Sequence, residues 1–258
     1  MTITSRNVLL AVAAIAAGCA LAATAVALFF SAPHPAAPVL DAATDTVDWL
    51  LWRWPTRDTM PIAALGVALG LGVVSFVGLL MFRRLFRRTS SAEIFFVAIF
   101  LATLSIEQFR VLQYLVLLYD LPIHFGALVS RAIRFGHLVG GFSLFTAGLY
   151  AAGVEYPRTG SVLLVLNLLS FAIVYFMPVV ELELTQLLVH RAGTGHTLDI
   201  LRIVLSFLTI ANYVYSAARG LREDSAVIAS CVVAVVIGRS MLLFPPNLAA
   251  AVAGGVLL

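Results

Sequence analysis

The sequence contains no lysine, and all 16 basic residues among its 258 are arginine. A retinal protein holds its chromophore as a Schiff base on a lysine amine, so a retinal-binding rhodopsin is excluded. Charge is scarce as well, because charged residues make up 11% of the chain, whereas a soluble domain carries about 25%. Since 62% of the residues are hydrophobic, lipid must cover most of the surface. The composition therefore predicts an integral membrane protein of the all-α class, with the lipid bilayer as its main partner.

Cysteine is nearly absent too, and the two that occur, Cys19 and Cys231, both lie in apolar runs. They form neither a disulfide framework nor a metal-binding set, so no structural metal is expected. The basic net charge of +3 is a feature shared with nucleic-acid-binding proteins. The arginines, however, lie in short loops and apolar segments, so no nucleic-acid partner is expected.

Seven apolar segments are long enough to cross a bilayer core of about 30 Å, which requires about 20 helical residues. We predict one transmembrane domain over residues 1–258, with spans at about 8–30, 61–82, 92–119, 123–152, 161–182, 198–218 and 226–244. The first apolar run is longer than the roughly 7–15 residues of a signal-peptide core, which favours a retained span. Cleavage of residues 1–30 is left open as the alternative.

Residues 31–60 form the long polar connection of the chain. Trp49, Trp52 and Trp54 crowd just ahead of the second span. Indole side chains concentrate at the headgroup level of a membrane. The segment is therefore predicted to be an external loop with a Trp-rich interfacial stretch.

The distribution of arginine predicts the orientation, because cytoplasmic loops carry an excess of basic residues. With the N-terminus inside, the cytoplasmic ends hold eight arginines and the external loops hold three. The eight are Arg6, Arg83, Arg84, Arg87, Arg88, Arg158, Arg219 and Arg222, and the three are Arg53, Arg57 and Arg191. The prediction is an N-in, C-out, multi-pass protein of the inner or plasma membrane.

Five further arginines fall inside the predicted spans, where a charge at the bilayer centre costs at least about 2.5–3.5 kcal/mol. They are Arg110, Arg131, Arg134, Arg202 and Arg239. Helical spacing places Glu107 and Arg110 on one face of the third span, and Arg131, Arg134 and His137 on one face of the fourth. These polar faces are predicted to converge in a polar interior that opens outward.

Charge balance suggests what such an interior would bind. The outer-half acids are Glu107, Glu181 and Glu183, against five arginines, so positive charge is in excess. A guanidinium group presents a planar fork that suits a carboxylate or phosphate. We therefore predict a ligand site in which Arg110, Arg131 and Arg134 bind the anion and Glu107 and His137 set its polarity and pH response. Its remaining members are Glu181, Arg202 and Arg239. The alternative is that these residues form internal salt bridges that fix helix register.

Motifs for known membrane chemistry are missing from the sequence. His124 and His137 have the spacing of a haem pair in a cytochrome b bundle, but a second helix lacks an equivalent pair, so haem is not expected. There is no His-Glu-x-x-His zinc motif, and no glycine follows Ser143 as a nucleophile turn requires. No catalytic residue and no cofactor is assigned.

The function predicted from the sequence is a receptor-like or binding role, without catalysis, for a small anionic or amphiphilic ligand. A transporter or a membrane-embedded enzyme acting on lipid remains the alternative. Gly66 and Gly70 form a GxxxG face on the second span, a pattern that brings membrane helices into close contact. It predicts a homo-oligomer.

Overall fold

The computed structural model of this chain describes residues 3–31, 60–86, 91–119, 121–154, 156, 158–184, 188–193, 197–220, 225–243 and 248–258. Within these ranges the chain is mainly helical. The helices are α1 (Ile3–Ser31), α2 (Met60–Leu85), α3 (Ala92–Leu104), α4 (Phe109–Leu118), α5 (Ile123–Ala151), α6 (Thr159–Phe176), α7 (Thr197–Ala218), α8 (Ser225–Leu243) and α9 (Leu248–Leu257). The predicted Trp-rich segment lies outside the described residues.

Five helical segments are long and apolar enough to cross a membrane, which supports the prediction of an all-helical membrane protein. They are Thr4–Phe29, Ala64–Leu85, Ala92–Val116, Thr159–Phe176 and Thr197–Ala218. Helix α5 has 29 residues but carries several charged and polar side chains, and it is not among the five. Helix α8 contributes a shorter apolar stretch, Ala226–Leu242. The count of seven spans and the orientation remain predictions.

Helix α5 is the centre of the packing, because it contacts α3, α4, α6 and α7. Its close approach to the third predicted span depends on Gly136, since a Cβ at this position would lie 2.9 Å from the Cδ1 of Ile106. A side chain there would overlap with packed neighbours. The glycine thus brings α5 next to the segment that carries Glu107.

The third predicted span is not one continuous α-helix. A 3-10 turn, Ser105–Gln108, separates α3 from α4. The side-chain amide of Gln108 donates to the backbone carbonyl of Ala68 on α2, and Gly72 leaves the space that this amide occupies. The turn is therefore held in place from a neighbouring helix, and it positions Glu107.

The fifth predicted span, 161–182, is wrong at its C-terminal end, because α6 stops at Phe176. Met177 adopts an extended conformation (φ −78°, ψ 125°), as expected for a residue that precedes a proline. After Pro178 the chain forms strand β1 (Val179–Leu184), which pairs antiparallel with β2 (His190–Ala192). Glu181 consequently lies on a strand and does not continue a helical face of α6.

Helix α9 packs against α8 through two glycines. A Cβ at Gly254 would lie 2.8 Å from the carbonyl oxygen of Gly238, and a Cβ at Gly238 would lie 2.9 Å from the carbonyl oxygen of Gly254. Both distances are shorter than a methyl group tolerates, and the opposing atoms belong to backbone. The two helices therefore meet at a distance that only glycine permits.

We expect Gly254→Ala to lower the free energy of unfolding by about 1–3 kcal/mol, because the new methyl group forces α8 and α9 apart. The matched control is Gly255→Ala, where a Cβ would meet nothing within 4 Å and the change should stay within about 0.5 kcal/mol. Thermal unfolding in detergent compares the two variants. Equal stability of both would contradict the close packing of α9 on α8.

Among the described residues, the GxxxG face of α2 makes no such contact. Gly66 and Gly70 are exposed, and a Cβ at either would meet nothing within 4 Å of that part of the chain. The homo-oligomer remains a prediction.

Candidate functional site

A buried ion pair occupies the junction between the 3-10 turn and α4. The Nε of Arg110 donates to the Oε2 of Glu107 at 2.7 Å, and its Nη2 lies 2.7 Å from the same oxygen. Glu107 and Arg110 are 2% and 1% exposed. Two charged groups removed from water in this way depend on each other, because either alone would be a buried uncompensated charge.

His137 joins this pair from α5. Its Nε2–H donates to the Oε1 of Glu107, so the carboxylate uses both oxygens. The contact ties the 3-10 turn to the middle of α5, at the level where Gly136 allows the two segments to approach. Glu107, Arg110 and His137 therefore form one hydrogen-bonded unit.

Arg239 reaches the same region from α8. Its Nη2 donates to the backbone carbonyl of His137 at 3.0 Å, and its guanidinium carbon lies 5.3 Å from the ring centroid of Phe100. Arg239 is only 8% exposed. Within the described part of the chain, no carboxylate pairs with it and its buried Nε has no hydrogen-bond partner. The cation is held by a carbonyl dipole and an aromatic face, which is weaker compensation than a carboxylate provides.

Two glycines of α5 make room for this guanidinium group. A Cβ at Gly140 would lie 3.3 Å from the Nη2 of Arg239, and one at Gly141 would lie 4.0 Å from its Nη1. Gly140 also accommodates the Thr103 hydroxyl from α3. The two glycines thus leave a groove in the surface of α5, and the side chain of Arg239 lies against it.

A small, partly open cavity lies between α5, α7 and α8. Its volume of about 20 Å³ has room for one or two water molecules. The polar residues that line it are His137, Arg202, Ser206, Thr209, Arg239 and Ser240, and the remaining walls are leucine, valine and glycine. Two arginines from different helices therefore line one space.

Arg202 is less buried than Arg239 and has an acidic partner. Its Nη2 lies 3.0 Å from the Oδ1 of Asp199, one turn earlier on α7. The side chains are 24% and 51% exposed, and ion pairs in such positions contribute about 0–1 kcal/mol.

Three of the predicted site residues, Arg110, Arg131 and Arg134, do not line the cavity. Arg131 and Arg134 precede His137 on α5. Arg110 is committed to Glu107. The position of Glu181 is on β1, and its side chain lies outside what the structure describes. The predicted residues are thus divided between a buried ion pair, the lining of a cavity, and Arg131 and Arg134, which belong to neither.

Sequence reasoning missed several residues of this region. Asp199 precedes Arg202 by three residues, the same spacing that relates Glu107 to Arg110, so the signal was present in the sequence. Counting Asp199 reduces the predicted excess of two positive charges to one. Ser240, Phe100 and Gly141 carry no motif and become apparent only from the packing of α5 and α8.

The arrangement is suited to holding an anion, and in the described ranges no three His, Cys, Asp or Glu side chains are grouped as a metal site would need. The chemistry of the region has to be inferred from its own geometry. Comparison of the chain with known protein families, with curated proteins and with solved structures finds no match.

Proposed function

We propose that this protein is a seven-span protein of the inner or plasma membrane that binds a small anionic or amphiphilic ligand, in a receptor-like role without catalysis. The observation that carries the proposal is Arg239. This buried cation lines a cavity together with Arg202 and has no carboxylate partner among the described residues. A charge in that position is costly unless a ligand compensates for it.

The topology is supported by α5 and α8, which add to the five apolar segments. Two polar residues of α5 face the interior of the bundle, because Arg134 is buried and His137 contacts Glu107. Arg83 and Arg84 end α2, and Arg219 follows α7, in agreement with cytoplasmic ends for these helices. The proposed orientation is N-in and C-out.

On this orientation the cavity lies in the outer half of the bundle. Arg202 follows the outer end of α7, Thr197, by five residues, and Arg239 precedes the outer end of α8, Leu243, by four. At 1.5 Å per residue both side chains start about 6–8 Å from their helix ends. A ligand would therefore reach the cavity from outside the cell or from the outer leaflet.

We expect anions to stabilise the purified full-length protein in detergent. A ligand at one hundred times its dissociation constant adds about 2.7 kcal/mol to the free energy of unfolding. Arg239→Gln and the more exposed Arg202→Gln should each reduce this gain. Thermal unfolding against a panel of inorganic anions, carboxylates and anionic lipids measures it.

The control is Arg219→Gln, which changes an exposed arginine stacked on Tyr215, outside the cavity. It should respond to anions as the wild type does. If no anion stabilises the protein, or if both cavity variants keep the full gain, the proposed site is wrong.

A further inference from the structure

We infer that the cavity binds a proton together with its anion, and that the imidazole ring of His137 holds this proton. This assignment rests on the proposed function and adds a second ligand to the same site. It applies to any anion, because each negative charge placed beside Arg239 acts on His137 in the same direction. Binding in the cavity would then be proton-coupled, with acid strengthening the binding of the anion.

The ring of His137 lies where the cavity meets the buried ion pair. Its side chain lines the cavity and is 12% exposed, and it also contacts the Oε1 of Glu107, whose side chain is 3% exposed. Among the described residues that line the cavity, the other ionisable groups are Arg202 and Arg239, which stay charged at physiological pH. Histidine changes its charge near neutral pH. A proton from solvent can therefore reach His137 through the partly open cavity.

Three charged groups of the described residues act on this histidine, and they come from three neighbouring elements. Glu107 of the 3-10 turn attracts a proton to the ring, whereas Arg110 of α4 and Arg239 of α8 repel it. Arg239 donates to the backbone carbonyl of His137 itself, at 3.0 Å. One negative and two positive charges leave a net charge of +1 around the neutral ring. In the empty site, protonation of His137 would raise this charge to +2.

The other elements packed against α5 leave this balance unchanged. On α7, Arg202 lines the same cavity and is paired with Asp199. On α5 itself, Arg134 precedes the histidine by three residues and is buried. Helix α3 contains Glu93, at the opposite end from the 3-10 turn, and α6 contains Tyr175, which is exposed. Four ionisable side chains of the two strands lie outside what the structure describes, namely Glu181, Glu183, His190 and Arg191.

A bound anion favours the protonated form of His137. It lies beside Arg239 in the cavity that His137 lines, so its negative charge offsets the repulsion between that guanidinium group and the added proton. The neutral ring carries one proton, on the Nε2 that donates to Glu107, and the second proton passes from solvent to Nδ1. The imidazolium then forms an ion pair with Glu107. With one monovalent anion and one proton bound, the region has the same net charge as the empty site.

The coupling has the same size in both directions, because the binding of the proton and that of the anion are linked equilibria. Two unit charges about 8 Å apart, at an effective dielectric constant of about 20, change an equilibrium constant by roughly 30-fold. The anion affinity is highest at a pH where His137 is protonated with and without the anion. It falls as the pH rises through the range in which only the anion-bound protein keeps the proton. We expect a total change of about tenfold or more.

The test measures anion binding and proton uptake by the purified full-length protein in detergent, with gluconate added to keep the ionic strength constant. The probes are chloride, sulfate and decanoate. Thermal unfolding against probe concentration gives the apparent affinity, which should be about tenfold or more higher at about pH 5.5 than at about pH 8.5. In weakly buffered solution near neutral pH, addition of the probe should make the solution more alkaline, because the protein takes up as much as one proton per anion.

His137→Gln removes the ring that takes the proton. This variant should bind the probe with an affinity that does not change with pH, and without proton uptake. The matched control is His124→Gln, which changes an exposed histidine of the same helix, beside Phe125 and outside the cavity. It should keep the pH dependence and the proton uptake of the wild type.

A second measurement does not depend on the folding of His137→Gln. In wild-type protein labelled with ¹⁵N in its histidine rings, addition of the probe near neutral pH should shift one histidine signal towards the imidazolium position. The same shift should occur in His124→Gln. If no histidine signal moves towards imidazolium while the anion binds, the assignment of the proton to His137 is wrong.

The outcomes separate this inference from the proposed function. Anion binding with the same affinity at both pH values overturns the inference and leaves the proposed function standing. Proton uptake that persists in folded His137→Gln does so as well. The absence of a response to every probe at both pH values overturns both.

Discussion

Glu107→Gln should lower the free energy of unfolding by about 3–5 kcal/mol, the cost of breaking a buried ion pair on one side. The substitution removes the negative charge and keeps the shape of the side chain. Arg110, which is 1% exposed, would then be a buried cation that has lost its paired charge. Chemical or thermal unfolding in detergent measures the loss.

The matched control for this prediction is Asp199→Asn. Asp199 and Arg202 have the same three-residue spacing as Glu107 and Arg110, but the aspartate side chain is 51% exposed. Surface pairs of this kind contribute about 0–1 kcal/mol, so the control should lose little. Similar losses in both variants would show that burial is not the source of the stability of the Glu107 pair.

The spacing of charged residues predicts pairs within one segment. It predicts that Glu107 and Arg110 can pair, and they do. The spacing does not predict which helices contact each other, because the positions of residues along one helix contain no information on the distances between helices. The contact of His137 with Glu107 depends on the close approach at Gly136, where the Ile106 side chain occupies the space of a missing Cβ. One sequence does not show that this glycine faces Ile106.

The sequence at the end of the fifth predicted span contains a pattern that is typical of a strand. Pro178 predicts a break, and the six residues that follow alternate in part, with Glu181 and Glu183 separated by leucine. That two-residue period is typical of a strand, which is what β1 forms. The predicted span 161–182 continued through the proline and therefore placed Glu181 on a helix. The local pattern was more informative than the expected length of a span.

Arg110 and Arg239 are both buried, but they differ in the groups that compensate their charge, a difference that sequence alone does not show. Arg110 is neutralised by a carboxylate three residues away, and its role is explained by the fold. Arg239 donates to a backbone carbonyl, lies over an aromatic ring and lines a cavity, and no carboxylate among the described residues pairs with it. A buried charge that structure does not require is a reason to expect a ligand.

We therefore expect Arg239→Met, measured without added ligand, to raise the free energy of unfolding by about 1–4 kcal/mol, the range found when buried ion pairs are replaced by apolar residues. The variant loses the hydrogen bond to the His137 carbonyl, worth about 1.5–3 kcal/mol for a charged donor. The stability that the variant gains is larger than this loss, because the desolvation of an ion costs several kcal/mol. Methionine also packs well beside an aromatic ring such as Phe100. The same variant should lose the stabilisation by anions that is expected of the wild type.

The control for this prediction is Arg110→Met, measured under the same conditions. Both substitutions replace a buried arginine by the same apolar residue, but Arg110→Met leaves the carboxylate of Glu107 without its guanidinium partner. It should lower the free energy of unfolding by about 3–5 kcal/mol, so the two variants are expected to change stability in opposite directions. If Arg239→Met is destabilised as strongly as Arg110→Met, Arg239 is a structural strut. In that case the cavity between α5, α7 and α8 is not a binding site.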